Sequence, residues 1–184
     1  MHQFLASLVV ALTLTGCNDS DDKNLAAAEM FVGAFYSFNA QKLEATLSHA
    51  EDSIPSMVFY QGWAEGGNYQ IVNRMPCKSE NAESVSCSIT VKDDHMGALG
   101  IDFDVTDTFH FSLSEGRIIS VRNSSNDLQV YLDAEKWVRR KRPELIRESC
   151  QGFFDGGPTP GKCAQAMVRG YAEFAASDEF SELQ

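Results

Sequence analysis

The chain has 184 residues, of which 43% are hydrophobic and 22% charged, and its formal net charge at pH 7 is −11. This length is typical of one domain, and this hydrophobic content is enough to build a buried core. Binding to nucleic acid requires a surplus of Lys and Arg, whereas here 26 acidic residues outnumber 15 basic ones. The composition therefore argues against nucleic acid as a partner.

An apolar run from Phe4 to Leu14 lies near the start of the chain. It is shorter than the roughly 20 residues of a membrane span and has the length of a signal-peptide core. It ends in the sequence LTGC, which resembles the lipobox of bacterial lipoproteins, where the cysteine, here Cys17, receives the lipid. Residues 1–16 are therefore expected to be a signal peptide, and the polar residues 17–24 a tether.

These features predict a lipid-anchored protein of the bacterial cell envelope that faces the periplasm or the exterior, with the membrane as its partner through Cys17. The alternative is a buried amino-terminal helix in which Cys17 is a core thiol. The polar stretch NDSDDKN that follows Cys17 favours the tether, because a core helix has no need of such a spacer.

Four further cysteines remain, an even number in a compartment that permits disulfides. Three pairings are possible, and the two local bridges fit the predicted elements best. Cys77 and Cys87 flank a hairpin-like turn, and Cys150 and Cys163 flank a loop rich in Gly and Pro. The sequence has no C-x-x-C motif, so both bridges are expected to be structural rather than redox-active or zinc-binding.

Hydrophobic periodicity predicts three helices before the first strand. A second helix is expected over residues 40–49 and a third over residues 54–65, where Pro55 suits the first turn. In the first helix, apolar residues recur at intervals of three and four, which is the pattern of an amphipathic helix. These residues are Ala28, Phe31, Phe35 and Phe38.

The period changes to two from residue 69 onward. Residues 84–91 and 102–113 alternate polar with apolar side chains, and a tight link returns the chain into residues 117–123 as a hairpin. The last third is again helical, over residues 127–142 and 143–150 and in a final helix opened by Thr159 and Pro160. The predicted fold class is therefore α+β, with at least four antiparallel strands.

This order of elements, with the hairpin sequence FHFSLSEGRIISV, resembles the nuclear transport factor 2-like superfamily, which includes SnoaL-like polyketide cyclases and ketosteroid isomerase. The resemblance covers residues 25–125. It implies a cone-shaped, curved antiparallel sheet with the amino-terminal helices packed on it, a pocket between them, and a homodimer formed through the sheet. Residues 126–184 are expected to be a helical extension on the same domain. No catalytic signature is part of the resemblance.

Asp107 is the catalytic candidate. If its strand keeps strict alternation, Asp107 lies on the apolar face, where burial raises the pKa of a carboxyl group as general acid–base chemistry requires. Tyr36, or Tyr60 and Trp63, would supply hydrogen-bond donors or line a ligand pocket from the opposite wall. The alternative, which the frequency of bulges in curved sheets favours, is a bulge near Thr106 that turns Asp107 to solvent.

The histidines give no support for a metal site, and no cofactor is predicted. His49, His95 and His110 are not arranged as H-x-x-x-H or H-E-x-x-H. His110 falls on the polar face of its strand and is expected at the surface. Residues 93–95 are assigned to a loop that would hold a cation only weakly.

These observations predict a membrane-anchored, non-enzymatic protein that binds a small molecule or acts as an accessory factor. The alternative is a small-molecule isomerase, dehydratase or hydrolase of the SnoaL-like type that uses Asp107. A third interpretation is a structural dimer whose pocket is filled by its own Phe side chains.

The substitution Cys17→Ser removes the thiol that would carry the lipid. We expect the variant in the soluble fraction and the wild type with the membrane, because acyl chains supply the anchoring free energy. Cell fractionation and intact-mass measurement check this. Equal release of both proteins into the soluble fraction would contradict lipidation.

Overall fold

Five antiparallel strands form one sheet in the computed structural model, which describes residues 19–151 and 161–182. The strands are β1 (Gln70–Arg74), β2 (Lys78–Asn81), β3 (Ser84–Lys92), β4 (Val105–Ser114) and β5 (Arg117–Ser125). Their order is β1-β3-β4-β5, and β2 also pairs with β3.

Eight helices accompany the sheet within the described residues. They are α1 (Asp19–Phe35), α2 (Ala40–Thr46), α3 (Ile54–Gly66), α4 (Asp94–Ala98), α5 (Gln129–Lys141), α6 (Pro143–Ile146), α7 (Gly161–Ala175) and α8 (Asp178–Ser181). The amino-terminal helix α1 packs against the sheet, whereas α7 packs against α3, α4 and α5. The α+β class predicted from the sequence is confirmed. No helix in the described part of the chain is long and apolar enough to span a membrane.

Strict alternation is kept along the two central strands. Residues 84–91 of β3 pair with residues 112–105 of β4 without a break in register, so buried side chains recur at every second position. The predicted bulge near Thr106 is therefore wrong. The register shift in β4 occurs against β5, between Ser112 and Leu113.

Several element boundaries differ from the predicted ones. Strand β4 begins at Val105 rather than at residue 102, because its pairing with β3 starts at Val105, opposite Val91. Helix α2 ends at Thr46 rather than at residue 49. The residues predicted to open the final helix, 159 and 160, lie outside the described residues.

The core is built where α1 crosses the apolar face of the sheet. The ring of Phe31 meets Phe109 and Phe111 edge-on, with centroids 5.3 and 5.1 Å apart. Phe35 meets Phe109 in the same way at 4.9 Å. Such pairs contribute about 0.5–1.5 kcal/mol beyond the area that they bury. The amphipathic pattern of the sequence therefore places these rings correctly.

Helix α1 begins within the stretch predicted to be a tether. Its Asn24 is buried, donates a hydrogen bond to the Ala82 carbonyl oxygen and accepts one from the Gly116 N–H. The folded body therefore starts several residues before the predicted boundary at residue 25. The predicted signal peptide and Cys17 lie outside the described residues, so lipidation stays a prediction.

Both predicted disulfides are confirmed. Cys77, just before β2, is bonded to Cys87 in β3, and Cys150, after α6, is bonded to Cys163 in α7. The second bridge fixes the start of α7, whose face toward the core is buried as its helical spacing predicts. That face includes Cys163, Met167, Tyr171 and Phe174.

The end of α3 touches the start of α7 through backbone atoms. A β-carbon on Gly66 would collide with the carbonyl oxygen of Gly161, so only a residue without a side chain lets the two helices approach this closely. Gly33 in α1 is the opposite case, because an added β-carbon meets no atom within 4 Å.

These two glycines give opposite predictions. Gly66→Ala should lower the free energy of unfolding by about 1–3 kcal/mol, the usual cost of overpacking, because the backbone must shift. Gly33→Ala should raise it by about 0.5–1 kcal/mol, because alanine is the better helix former. Urea denaturation of both variants checks this. Equal effects in the two variants would contradict the close approach of α3 and α7.

Candidate functional site

The alternation of β4 places Asp107 in the interior of the protein. Its side chain has no solvent-exposed area and lies on the same face of the strand as Val105 and Phe109. On the neighbouring strands it stands opposite Ile89 and Ser125. Burying a carboxyl group among apolar side chains is costly unless hydrogen bonds or a proton compensate for the lost water.

Tyrosine hydroxyls approach this carboxyl from the helical layer. The Tyr60 hydroxyl, on α3, donates a hydrogen bond of 2.5 Å to Asp107 Oδ1. The buried Tyr36 hydroxyl, just after α1, faces the same carboxyl but has no hydrogen-bond partner among the described residues. Asp107 Oδ2 likewise has none in this part of the chain. Neither atom makes a hydrogen bond of ordinary geometry, although the two groups are close enough for the Asp107 carboxyl to raise the pKa of the Tyr36 hydroxyl.

The electrostatics of the site follow from burial. Loss of water raises the pKa of Asp107 to about 6, with a further contribution from Asp127 and Asp93, while the hydrogen bond from Tyr60 acts in the opposite direction. Burial also raises the pKa of the Tyr36 and Tyr60 hydroxyls, so both keep their protons at neutral pH. The carboxyl can therefore exchange a proton near neutral pH beside two permanent donors.

Aromatic residues surround this site. Tyr36 and Tyr60 are only partly buried as whole residues, and so is Phe38. The centroid of Phe35 lies 5.0 Å from that of Tyr36 and 5.5 Å from that of Tyr60, and Phe38 lies 6.4 Å from Tyr36. The carboxyl is therefore surrounded by aromatic residues, of which Tyr36, Phe38 and Tyr60 are only partly buried.

A second buried polar cluster centres on His95, which the sequence analysis assigned to a loop. The prediction is wrong, because Asp93 caps the short helix α4 by accepting the Met96 N–H and the imidazole is completely buried. His95 stacks on Trp63 with a centroid distance of 4.7 Å, and its Nδ1 lies 3.6 Å from Asp93 Oδ1. Neither ring nitrogen has a hydrogen-bond partner among the described residues.

The two clusters are neighbours. A β-carbon on Gly67 would lie 2.7 Å from His95 Cε1 and 3.1 Å from the ring of Tyr69, so both rings contact the same glycine. The ring centroids of Tyr69 and Tyr60 are 6.5 Å apart. Burial raises the pKa of Tyr69, and Tyr131 and Asp107 raise it further. The polar interior is thus continuous from Asp107 to His95.

The structure separates the predicted site residues into three positions. Tyr36 and Tyr60 lie at Asp107, as the analysis of the sequence proposed, whereas Trp63 lies against His95. His110 is partly exposed and hydrogen-bonds Ser124 at 2.9 Å, in agreement with its predicted surface position. The described residues contain no group of three or more His, Cys, Asp or Glu side chains that would hold a metal ion.

The fold and this site define an α+β protein with an unsatisfied carboxyl oxygen in an aromatic interior. No protein-family model matches the chain, and no curated protein or solved structure is significantly similar to it. The resemblance to the nuclear transport factor 2-like superfamily therefore stays a prediction.

The pKa of Asp107 makes stability depend on pH. Between about pH 4 and pH 6 the native protein holds a proton that the unfolded chain releases, so the free energy of unfolding falls as the pH rises. The pKa of Asp107 in the native protein and the ordinary aspartate pKa of the unfolded chain differ enough to change the free energy of unfolding by about 3 kcal/mol. Asp107→Asn cannot ionise, so the variant should be more stable than the wild type at pH 7.5 and equally stable at pH 4.

Urea denaturation at the two pH values measures this difference. Asp104→Asn is the matched control, because Asp104 is exposed and its replacement should change stability by less than about 0.5 kcal/mol at either pH. An Asp107→Asn variant that is less stable than the wild type at pH 7.5 would show that the carboxylate is favourably paired.

Proposed function

We propose that this protein is a membrane-anchored lipoprotein of the cell envelope that binds a small molecule at Asp107. The observation that carries the proposal is the unpaired Asp107 Oδ2, which is buried and lies beside the unpaired Tyr36 hydroxyl. A buried polar atom without a partner costs about 1–3 kcal/mol. A ligand that bonds both atoms would recover this free energy.

The chemistry of the site specifies the ligand. Asp107 Oδ2 requires a donor, whereas the Tyr36 hydroxyl, which keeps its proton, requires an acceptor. A single hydroxyl group on the ligand meets both needs. The rings of Phe35, Phe38 and Tyr60 favour a flat, apolar body behind that hydroxyl. The proposed ligand class is therefore a small aromatic or cyclic alcohol.

The cell-envelope location rests on two independent features. The sequence ending at Cys17 resembles a lipobox, and the chain carries two disulfides, which form and persist in oxidising compartments. Both features support a protein that is exported and tethered.

The second candidate function is acid–base catalysis. It is favoured by the pKa of about 6 at Asp107, which lets the carboxyl accept and return a proton at neutral pH. The Tyr36 hydroxyl would then stabilise negative charge that develops on a substrate oxygen, while Tyr60 holds the carboxyl in place. The reaction would be an isomerisation, dehydration or hydrolysis of a small molecule.

Benzyl alcohol and benzyl methyl ether are suitable probes of the binding proposal. At pH 7.5 the alcohol should produce saturable NMR shifts at Tyr36, Tyr60 and Asp107, and the ether, which has no O–H donor, should bind at least tenfold more weakly. Asp107→Asn should weaken binding of the alcohol at least tenfold, because a hydrogen bond to a charged group contributes about 1.5–3 kcal/mol. Asp104→Asn should leave it unchanged.

Equal binding of the two probes, or equal binding by the wild type and Asp107→Asn, would refute recognition by this carboxyl.

A second experiment distinguishes a binding protein from an enzyme. The full-length protein is purified from its own membranes, and the small molecules that accompany it are identified by mass spectrometry and returned to the protein. A binder leaves them unchanged, whereas an enzyme converts them and Asp107→Asn does not.

A further inference from the structure

The face of the sheet that points away from α1 is polar. Alternate residues of β3, β4 and β5 on this face carry hydroxyl, imidazole or guanidinium groups rather than apolar side chains. A groove of about 430 Å³ lies on this face. Its polar lining includes Glu80, Ser86, His110, Ser112, Ser120 and Arg122.

The strand register brings these side chains together. His110 in β4 stands directly opposite Arg122 in β5, and Ser112 stands directly opposite Ser120. Side chains in such pairs have β-carbons about 4.5–5.5 Å apart. The guanidinium, the imidazole and two hydroxyls therefore lie in two successive cross-strand pairs on the same face of the sheet. Each of these groups can donate hydrogen bonds.

The Arg122 guanidinium makes no ion pair or hydrogen bond with another side chain of the described residues, although its charge acts on His110 and the chain carries a net charge of −11. Arg117, on the same strand, is instead paired with Glu115. The carboxylate in the groove, Glu80, already accepts a hydrogen bond from the Ser86 hydroxyl. Arg122 is therefore available to an external anion.

The other end of the groove requires a different partner. Glu80 repels a second anionic group, but its carboxylate and the serine hydroxyls bond well to neutral hydroxyl groups. Burial and the nearby Arg122 lower the pKa of His110, whereas Glu80 acts in the opposite direction, and the imidazole Nε2 already bonds the Ser124 hydroxyl. The groove thus favours a molecule with one charged end and one hydroxylated end.

We propose that this groove binds a small hydroxylated molecule that carries one oxyanion, with a carboxylate or phosphate held by Arg122, His110, Ser112 and Ser120. Two oxygens of a carboxylate or of a phosphate match the fork of donors that a guanidinium presents. This site lies on the opposite face of β4 from Asp107 and does not depend on the function proposed above.

Three probes test the proposal on the full-length protein in a non-ionic detergent at pH 7. Glucose 6-phosphate and gluconate carry the two kinds of oxyanion, and glucose carries none. NMR should show saturable shifts at residues 110, 112, 120 and 122 with either acid, and at least tenfold weaker binding of glucose. The acid that binds more tightly identifies the preferred oxyanion.

Variants on one strand provide the control. Arg122→Gln should weaken binding of the preferred acid at least tenfold, and Ser120→Ala should weaken it several-fold. Arg117→Gln removes an arginine from the same strand and should have no effect. Equal binding of glucose and the two acids, or equal loss in Arg117→Gln and Arg122→Gln, would overturn the proposal. A dimer would also overturn the proposal if sedimentation detects it at the same concentration and Arg122→Glu dissociates it. A second copy of the chain would then occupy this face of the sheet.

Discussion

The unbroken two-residue alternation of β4 determines which of its polar side chains lie in the interior and which lie on the outer face of the sheet. Because β3 and β4 pair without a shift, Asp107 must enter the same interior as the phenylalanines beneath α1. The chain compensates in part with the hydrogen bond from Tyr60 and in part with a raised carboxyl pKa. One carboxyl oxygen stays without a hydrogen-bond partner among the residues that the structure describes. The same period places Arg122 and His110 on the opposite face of the sheet.

Helix α3 couples the two buried polar clusters. Tyr60 and Trp63 are three residues apart and therefore project from the same side of the helix, one toward Asp107 and the other onto His95. The glycine after the helix leaves room for His95, and the last glycine within it lets α7 approach. The carboxy-terminal helices contribute Tyr131 and Tyr171 to the second cluster, so they form part of the interior rather than an independent appendage.

The sequence predicted the features that depend on local pattern, and it failed where long-range packing decides. Alternation placed Asp107 on the apolar face, Tyr60 was expected to approach it from the third helix, and short intervening loops gave the correct disulfide partners. The predicted bulge was wrong, because a bulge depends on how neighbouring strands pair, which one strand's sequence does not record. His95 was missed for a similar reason. The cap at Asp93 was a signal for the short helix, but burial of the imidazole comes from α3, α5 and α7.

The most direct test of this account is the titration of the Asp107 carboxyl carbon by NMR. The account predicts a midpoint near pH 6 for Asp107, and a still higher midpoint in Tyr60→Phe, because the lost hydrogen bond favours the ionised form. A midpoint for Asp107 near the ordinary aspartate value of about 3.9, unchanged by Tyr60→Phe, would place this carboxyl in water and contradict the buried site.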